Sequence, residues 1–148
     1  EDSVRMLQGD LRAIRSLLPQ AAFDLVICNP PYHKGTGKPE THQAACTWAD
    51  VTAAAAWLLR PKGRLCVCCP AAGMLDMAAA MRGAGIEPKR LRLAASRADK
   101  APYLCLMEGI LGARPGLRVE PQLTMLEEGG AFTREARRIY HMEDIEPA

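Results

Sequence analysis

Apolar residues fall into short runs at two different spacings, and the way these alternate along the chain predicts its architecture. Val4-Arg5-Met6-Leu7 forms a short strand candidate closed by Gln8-Gly9-Asp10. Between 11 and 18, Leu11, Ile14, Leu17 and Leu18 share one helical face, and Pro19 ends the segment. Phe23 to Cys28 is a nearly continuous apolar run, read as a buried strand, that stops at Asn29-Pro30-Pro31. A loop rich in Gly, Lys and Pro follows. An Ala-rich helix then places Ala44, Ala45, Trp48, Val51, Ala55, Leu58 and Leu59 near helical spacing, with Pro61 and Gly63 ending it.

Arg64 to Cys69 lacks the alternation of a half-exposed strand and reads as a second buried one. Met74 to Met81 predicts a helix stopped by Gly83 and Gly85. Ile86 to Ala95 is a strand made irregular by Pro88 and its basic residues. Ser96 to Pro102 is a turn, and Tyr103 to Leu111 is the last long strand. The remaining residues, 113–148, form a tail punctuated by Pro and Gly, with a short helix at Arg134 to Tyr140. Strands alternating with helices predict an open α/β sheet whose final pair is a hairpin, with helices on both faces.

Composition narrows the class. With 148 residues, of which 49% are hydrophobic and 24% charged, the chain can build one domain with a core, read as spanning 1–148. No apolar stretch reaches the roughly 18 residues of a membrane helix, and no basic-then-apolar leader opens the chain, so a cytoplasmic protein is expected. Cys28, Cys46, Cys66, Cys68, Cys69 and Cys105 do not supply two Cys-x-x-Cys pairs, so neither a zinc site nor a disulfide framework is expected, and no metal. A net charge of +2 is too small to attract nucleic acid as a whole. Any such contact must come from a local basic patch.

The most informative residues are Asn29-Pro30-Pro31-Tyr32, placed directly after a strand. In open α/β sheets ligands bind beyond the carboxyl ends of the strands. The Asn29 side-chain carbonyl and the Pro30 backbone carbonyl are two acceptors that can converge on the N–H groups of one planar amine. Such an amine is a poor nucleophile because its lone pair is delocalised, and two acceptors draw it toward a tetrahedral geometry. The prolines fix φ and cannot rejoin the sheet ladder, and Tyr32 offers a flat face for an extruded base. The plainer reading of the same residues is a turn that ends a strand.

Asp24-Leu25-Val26-Ile27-Cys28-Asn29-Pro30-Pro31-Tyr32 resembles motif IV of the amino-methyltransferases, the (D/N/S)-P-P-(Y/F/W) signature of enzymes acting on adenine, cytosine or glutamine amide nitrogens. Further segments resemble the bacterial tRNA1(Val) (adenine(37)-N6)-methyltransferase family. They are Leu58 to Leu65, Gly85 to Arg92, Lys100 to Leu104, Phe132 to Glu135 and Ile139-Tyr140. The resemblance covers nearly the whole chain. It implies a class I, Rossmann-like methyltransferase fold, S-adenosylmethionine as methyl donor, and tRNA as substrate. It also places Asp10 against the adenine of the donor, although Asp10 can equally serve as helix N-cap.

The family's glycine-rich donor loop has no counterpart here, so the chain is expected to be the carboxyl-terminal part of the domain, without its first two strands. Alone, it is expected to bind the donor poorly. Lys34, Lys38, Arg97 and Lys100 are candidate phosphate contacts around the cleft, with solvated loop cations as the alternative. His33 is given no role, and Trp48 and Trp57 are read as core. Two other functions stay open: a protein glutamine N5-methyltransferase, and a non-catalytic scaffold.

Overall fold

The computed structural model describes residues 3–30 and 46–142. A 3-10 turn at Leu11–Ala13 leads into α1 (Ile14–Leu17), followed by β1 (Phe23–Cys28), α2 (Trp48–Leu58) and β2 (Leu59–Pro70). A second 3-10 turn, Ala71–Gly73, opens α3 (Met74–Gly83), and β3 (Ile86–Ala95) and β4 (Leu104–Leu111) follow. The tail contributes β5 (Arg118–Val119), β6 (Leu123–Thr124) and α4 (Arg134–Ile139).

The strands form an open mixed sheet in the order β1-β2-β4-β3-β5, with β6 also beside β3. β1 and β2 are parallel, while β4 lies antiparallel to both β2 and β3. β1, β2 and β3 therefore point the same way and end on one common rim. The expected hairpin of the last two long strands is present, and the tail adds its two short strands parallel to β3.

Local chemistry explains the elements. α2 opens on a capping box: Thr47 Oγ1 accepts from the Asp50 N–H at 3.2 Å, and the Asp50 carboxylate accepts from the Thr47 N–H at 2.8 Å. The Thr47 N–H and the Thr47 hydroxyl, each donating to the Asp50 carboxylate at 2.8 Å, hold that carboxyl below the usual range. At the other end, Arg60 to Gly63 bulges out between the pairs Phe23↔Leu59 and Leu25↔Arg64. Lys62 takes a positive φ of 69° there, and its Nζ donates to the Gly112 carbonyl at 2.7 Å. Gly85, with φ of 76°, turns the chain from α3 back into β3.

The core lies on one face of the sheet. Leu65, Val67 and Cys69 of β2, Cys105 and Met107 of β4, and Ile86 and Leu91 of β3 pack against Ala55 of α2 and Met77 and Met81 of α3. Trp48 packs against this cluster, and the half-buried Trp57 donates its Nε1–H to the Leu18 carbonyl at 3.0 Å. Arg15 stacks over the Trp57 ring at 5.1 Å.

Several expectations are corrected. Val4 to Leu7 is not a strand: Val4 and Met6 stand exposed, and no described strand lies beside them to satisfy their backbone groups. β1 is an edge strand rather than a buried one, and Ile27 is 73% exposed. β2 does alternate, with Leu65, Val67 and Cys69 inward while Cys66 and Cys68 face the other side half-buried. Cysteine masks that alternation in the sequence because it is apolar on both faces. Helical cover of the two faces is uneven, and on the side of the hollow α4 approaches only the β3 end, where Glu135 pairs with Arg92 at 2.7 Å. α2 and α3 pack on the same side, and only strand and loop residues line the hollow on the other.

Candidate functional site

β1 pairs with β2 as far as Cys28↔Val67, and Asn29 is the first residue beyond that ladder. It is exposed, Pro30 after it is half-buried, and Asn29 lines a hollow of about 400 Å³ on the face of the sheet away from α2 and α3. Side chains projecting from adjacent strands build the floor of this hollow. Ile27, Cys66, Glu108 and Arg90 stand in one cross-strand row, and Cys68, Leu106 and Arg92 in the next. Pro31, Tyr32, His33, Lys34 and Lys38 lie outside the described residues.

The charged residues in the hollow hold one another. Glu108, only 16% exposed in its side chain, stands 3.8 Å from Arg64 and 3.7 Å from Arg90. Arg90 also donates to Glu120 at 3.1 Å, and Arg118 reaches the same carboxylate. The paired guanidiniums keep Glu120 below the usual carboxylate range. The Cys66 thiol lies 3.8 Å from Glu108, and its pKa is raised, first by burial and then by that charge. Burial and the neighbouring carboxylate thus both disfavour the Cys66 thiolate.

Asp10 is N-cap of the first turn, accepting from the Arg12 N–H at 2.9 Å, and forms an ion pair with the Arg12 guanidinium at 2.6 Å. These hydrogen bonds lower its pKa to about 2. The capping role is therefore present, and the carboxylate stays half exposed.

Arg97 and Lys100 occupy a tight turn closed by the Lys100 N–H to the Arg97 carbonyl at 3.1 Å. They share one carboxylate, with Asp99 at 3.2 Å from Arg97 and 3.9 Å from Lys100. The turn is held at both sides. The Tyr103 N–H donates to the Ala94 carbonyl at 3.0 Å, and the Ala71 N–H donates to the Tyr103 carbonyl at 3.0 Å. Turn and Asn29 share the carboxyl rim of the sheet but belong to strands two and three places apart.

Sequence reasoning missed Arg90, Arg92 and Glu108 as lining residues. The period-two spacing of Arg90 and Arg92 was a usable signal, since it puts both on one side of a strand. Glu108 could not be found the same way, because its importance rests on register with Cys66 and Arg90. No group of three or more residues able to hold a metal ion exists among the described residues.

This sheet and this carboxyl-end corner define a Rossmann-like methyltransferase fold. Residues 3–83 match the methyltransferase small domain family, and the chain belongs to that family. No curated protein matches the sequence. Among solved structures, a predicted O-methyltransferase of Agrobacterium tumefaciens, protein Atu636, superposes with a TM-score of 0.75 at 23% identity. That match covers 91% of this chain and 61% of the other. A DNA modification methylase candidate of Thermus thermophilus, TTHA0409, gives a TM-score of 0.53 at 21% identity, over 88% of this chain and 57% of the other. Its complex with S-adenosyl-L-methionine gives 0.52 at 18% identity, over 88% and 56%. The chain thus spans about three fifths of the length of these structures.

Proposed function

We propose that this chain is the acceptor-side part of an S-adenosylmethionine-dependent methyltransferase that modifies the exocyclic N6 of adenine in tRNA. The observation that carries this reading is the position of Asn29, exposed directly beyond β1 and opening on a hollow. An amide oxygen there, followed by a carbonyl on a φ-locked proline, can receive both N–H groups of a planar amine.

When bound, S-adenosylmethionine supplies an electrophilic methyl group. The residues present fit part of that donor: Asp10, N-cap of the first turn, would face it, while the sequence contains no Gly-x-Gly-x-x-Gly loop. The chain's own work is on the acceptor. Asn29 and Pro30 accept hydrogen bonds from the amine, hold its plane and turn its lone pair toward the donor side of the rim. Tyr32 stacks the base so that the amine cannot rotate away. Once the amine carries the new methyl group it is strongly acidic, and its proton passes to water without a dedicated base.

Lys34, Lys38, Arg97 and Lys100 supply phosphate contacts around this corner. The motif is shared with enzymes that modify glutamine amides. The test is methyl transfer by the protein carrying this chain, with unmodified tRNA, a DNA duplex and a release-factor protein as parallel substrates. Transfer to tRNA adenine is the expected result. Transfer only to the protein or only to DNA overturns the substrate assignment, and no transfer to any of them supports a scaffold.

A further inference from the structure

The tail runs back along the rim that carries Asn29. β6 lies parallel to the end of β3, and beyond it the Met125 N–H donates to the Ala95 carbonyl at 3.0 Å and the Leu126 N–H to the Ser96 carbonyl at 2.8 Å. Leu126 then bridges to Phe132, and Thr133 is tied back twice. Its N–H donates to the Met125 carbonyl at 2.9 Å and its hydroxyl to the Thr124 carbonyl at 2.7 Å. Thr133 also caps α4, accepting from the Ala136 N–H at 3.1 Å. The result is a rigid mount at the far end of the rim.

Four residues on this mount line a separate, open hollow of about 370 Å³: Glu127, Phe132, Arg134 and Arg137. Beside it Phe132 meets Tyr140, their ring centroids 5.8 Å apart and tilted by 53°, and Tyr140 is 56% exposed. An aromatic pair this open is not there to fill the core. The cations differ from those of the sheet. Arg64, Arg90, Arg92, Arg97 and Arg118 each face a carboxylate. Arg134 and Arg137 have no ion pair among the described residues. Glu135 next to them is taken by Arg92 at 2.7 Å, which leaves Glu127 as the carboxylate at the hollow.

We infer that this hollow is a second nucleotide subsite, which holds an unpaired nucleotide several positions along the strand from the one that is modified. Its base stacks on the Phe132–Tyr140 pair, its phosphate meets Arg134 and Arg137, and Glu127 accepts an N–H from the base edge. Distance supports a nucleotide several positions away rather than the reacting one. β1 and β6 are four strand spacings apart, about 19 Å at about 4.8 Å each. At about 3.4 Å per stacked nucleotide this spans five or six positions of one strand. The Arg97 to Lys100 turn stands between the two ends. The inference rests on the proposed nucleic-acid substrate and extends it to a part of the chain outside the motif.

The test is fluorescence anisotropy of the whole chain with a labelled single-stranded RNA of about twelve nucleotides, at several salt concentrations. Tyr140→Ala is expected to weaken binding about tenfold, and Tyr140→Phe, which keeps the ring, to retain it. Arg134→Gln with Arg137→Gln is expected to lower the slope of log affinity against log salt by about 1.4. An unchanged Tm in each variant separates these losses from unfolding. If the wild-type chain binds RNA and all the variants bind equally well, the subsite is overturned and the proposed function stands. If the wild-type chain binds no RNA, the substrate assignment itself fails and the subsite with it.

Discussion

Ile27 on β1 and Cys66 on β2 stand opposite each other in register, on the face of the sheet away from α2 and α3. The row continues through Glu108 to Arg90, so an apolar end and a charged end share one surface. The charged end is satisfied by its own ion pairs. The apolar end, with Leu25 and Ile27 exposed, is not satisfied by anything described.

An environment-sensitive dye such as ANS should therefore bind the isolated chain near Ile27 and brighten. Ile27→Ser should reduce that signal while changing unfolding free energy by no more than about 0.5 kcal/mol, because the side chain is mostly in solvent. A dye signal indifferent to this substitution would place the apolar surface elsewhere.

In the protein carrying this chain, the proposed acceptor role of Asn29 predicts that Asn29→Ala lowers kcat by about 10²-fold while donor Kd stays within a factor of two. Steady-state kinetics with calorimetric donor titration separates the two. Parallel loss of turnover and donor affinity would make Asn29 a structural residue.

Gly109 is the most crowded of the glycines in the sheet. A Cβ there would stand 2.6 Å from Ile86 Cγ2, 3.0 Å from Met81 Sδ and 3.3 Å from the Glu87 carbonyl. Gly109→Ala should cost about 1–3 kcal/mol in urea unfolding, as overpacking does in a dense core.

Thr47→Ala removes the acceptor for the Asp50 N–H and half of the capping box, and should cost about 1 kcal/mol by the same measurement. Asp50 itself should then titrate nearer to the ordinary carboxylate range, which carbon-detected NMR can follow.

Acid should loosen the first turn. The folded Asp10 carboxyl titrates at about 2, below its unfolded value of about 3.9. A depressed pKa stabilises the folded form above the unfolded value and loses that contribution as pH falls through the folded one. The Asp10 to Arg12 contacts should thus be intact above about pH 5 and fade toward pH 2. Amide shifts of Arg12 and Ala13 should report this. A midpoint near 4 would mean that the ion pair does not form in solution.

Much of the fold was legible because Gly and Pro punctuate the apolar runs. Pro19, Gly83, Gly85 and Pro102 each stand at or beside an element boundary. What the runs hid was which face each strand buries. An apolar stretch such as Phe23 to Cys28 looks the same at an edge as at the centre, and Cys66 and Cys68 look like core whichever way they face. Val4 to Leu7 has strand-like residues, but a strand exists only with a neighbour. Of the candidate site, Asn29 was readable from its chemistry and its place after a strand. Glu108 and the Phe132–Tyr140 pair were not, because cross-strand register and the return of the tail bring them together.

The hydrogen bonds from Met125 and Leu126 to Ala95 and Ser96 also seal a border. Without that return segment, the outer backbone groups of β3 would be a template for a neighbouring copy. Shortened versions ending before Leu123 should therefore gather into oligomers at high concentration, so the segment from Leu123 onward doubles as a guard against self-assembly.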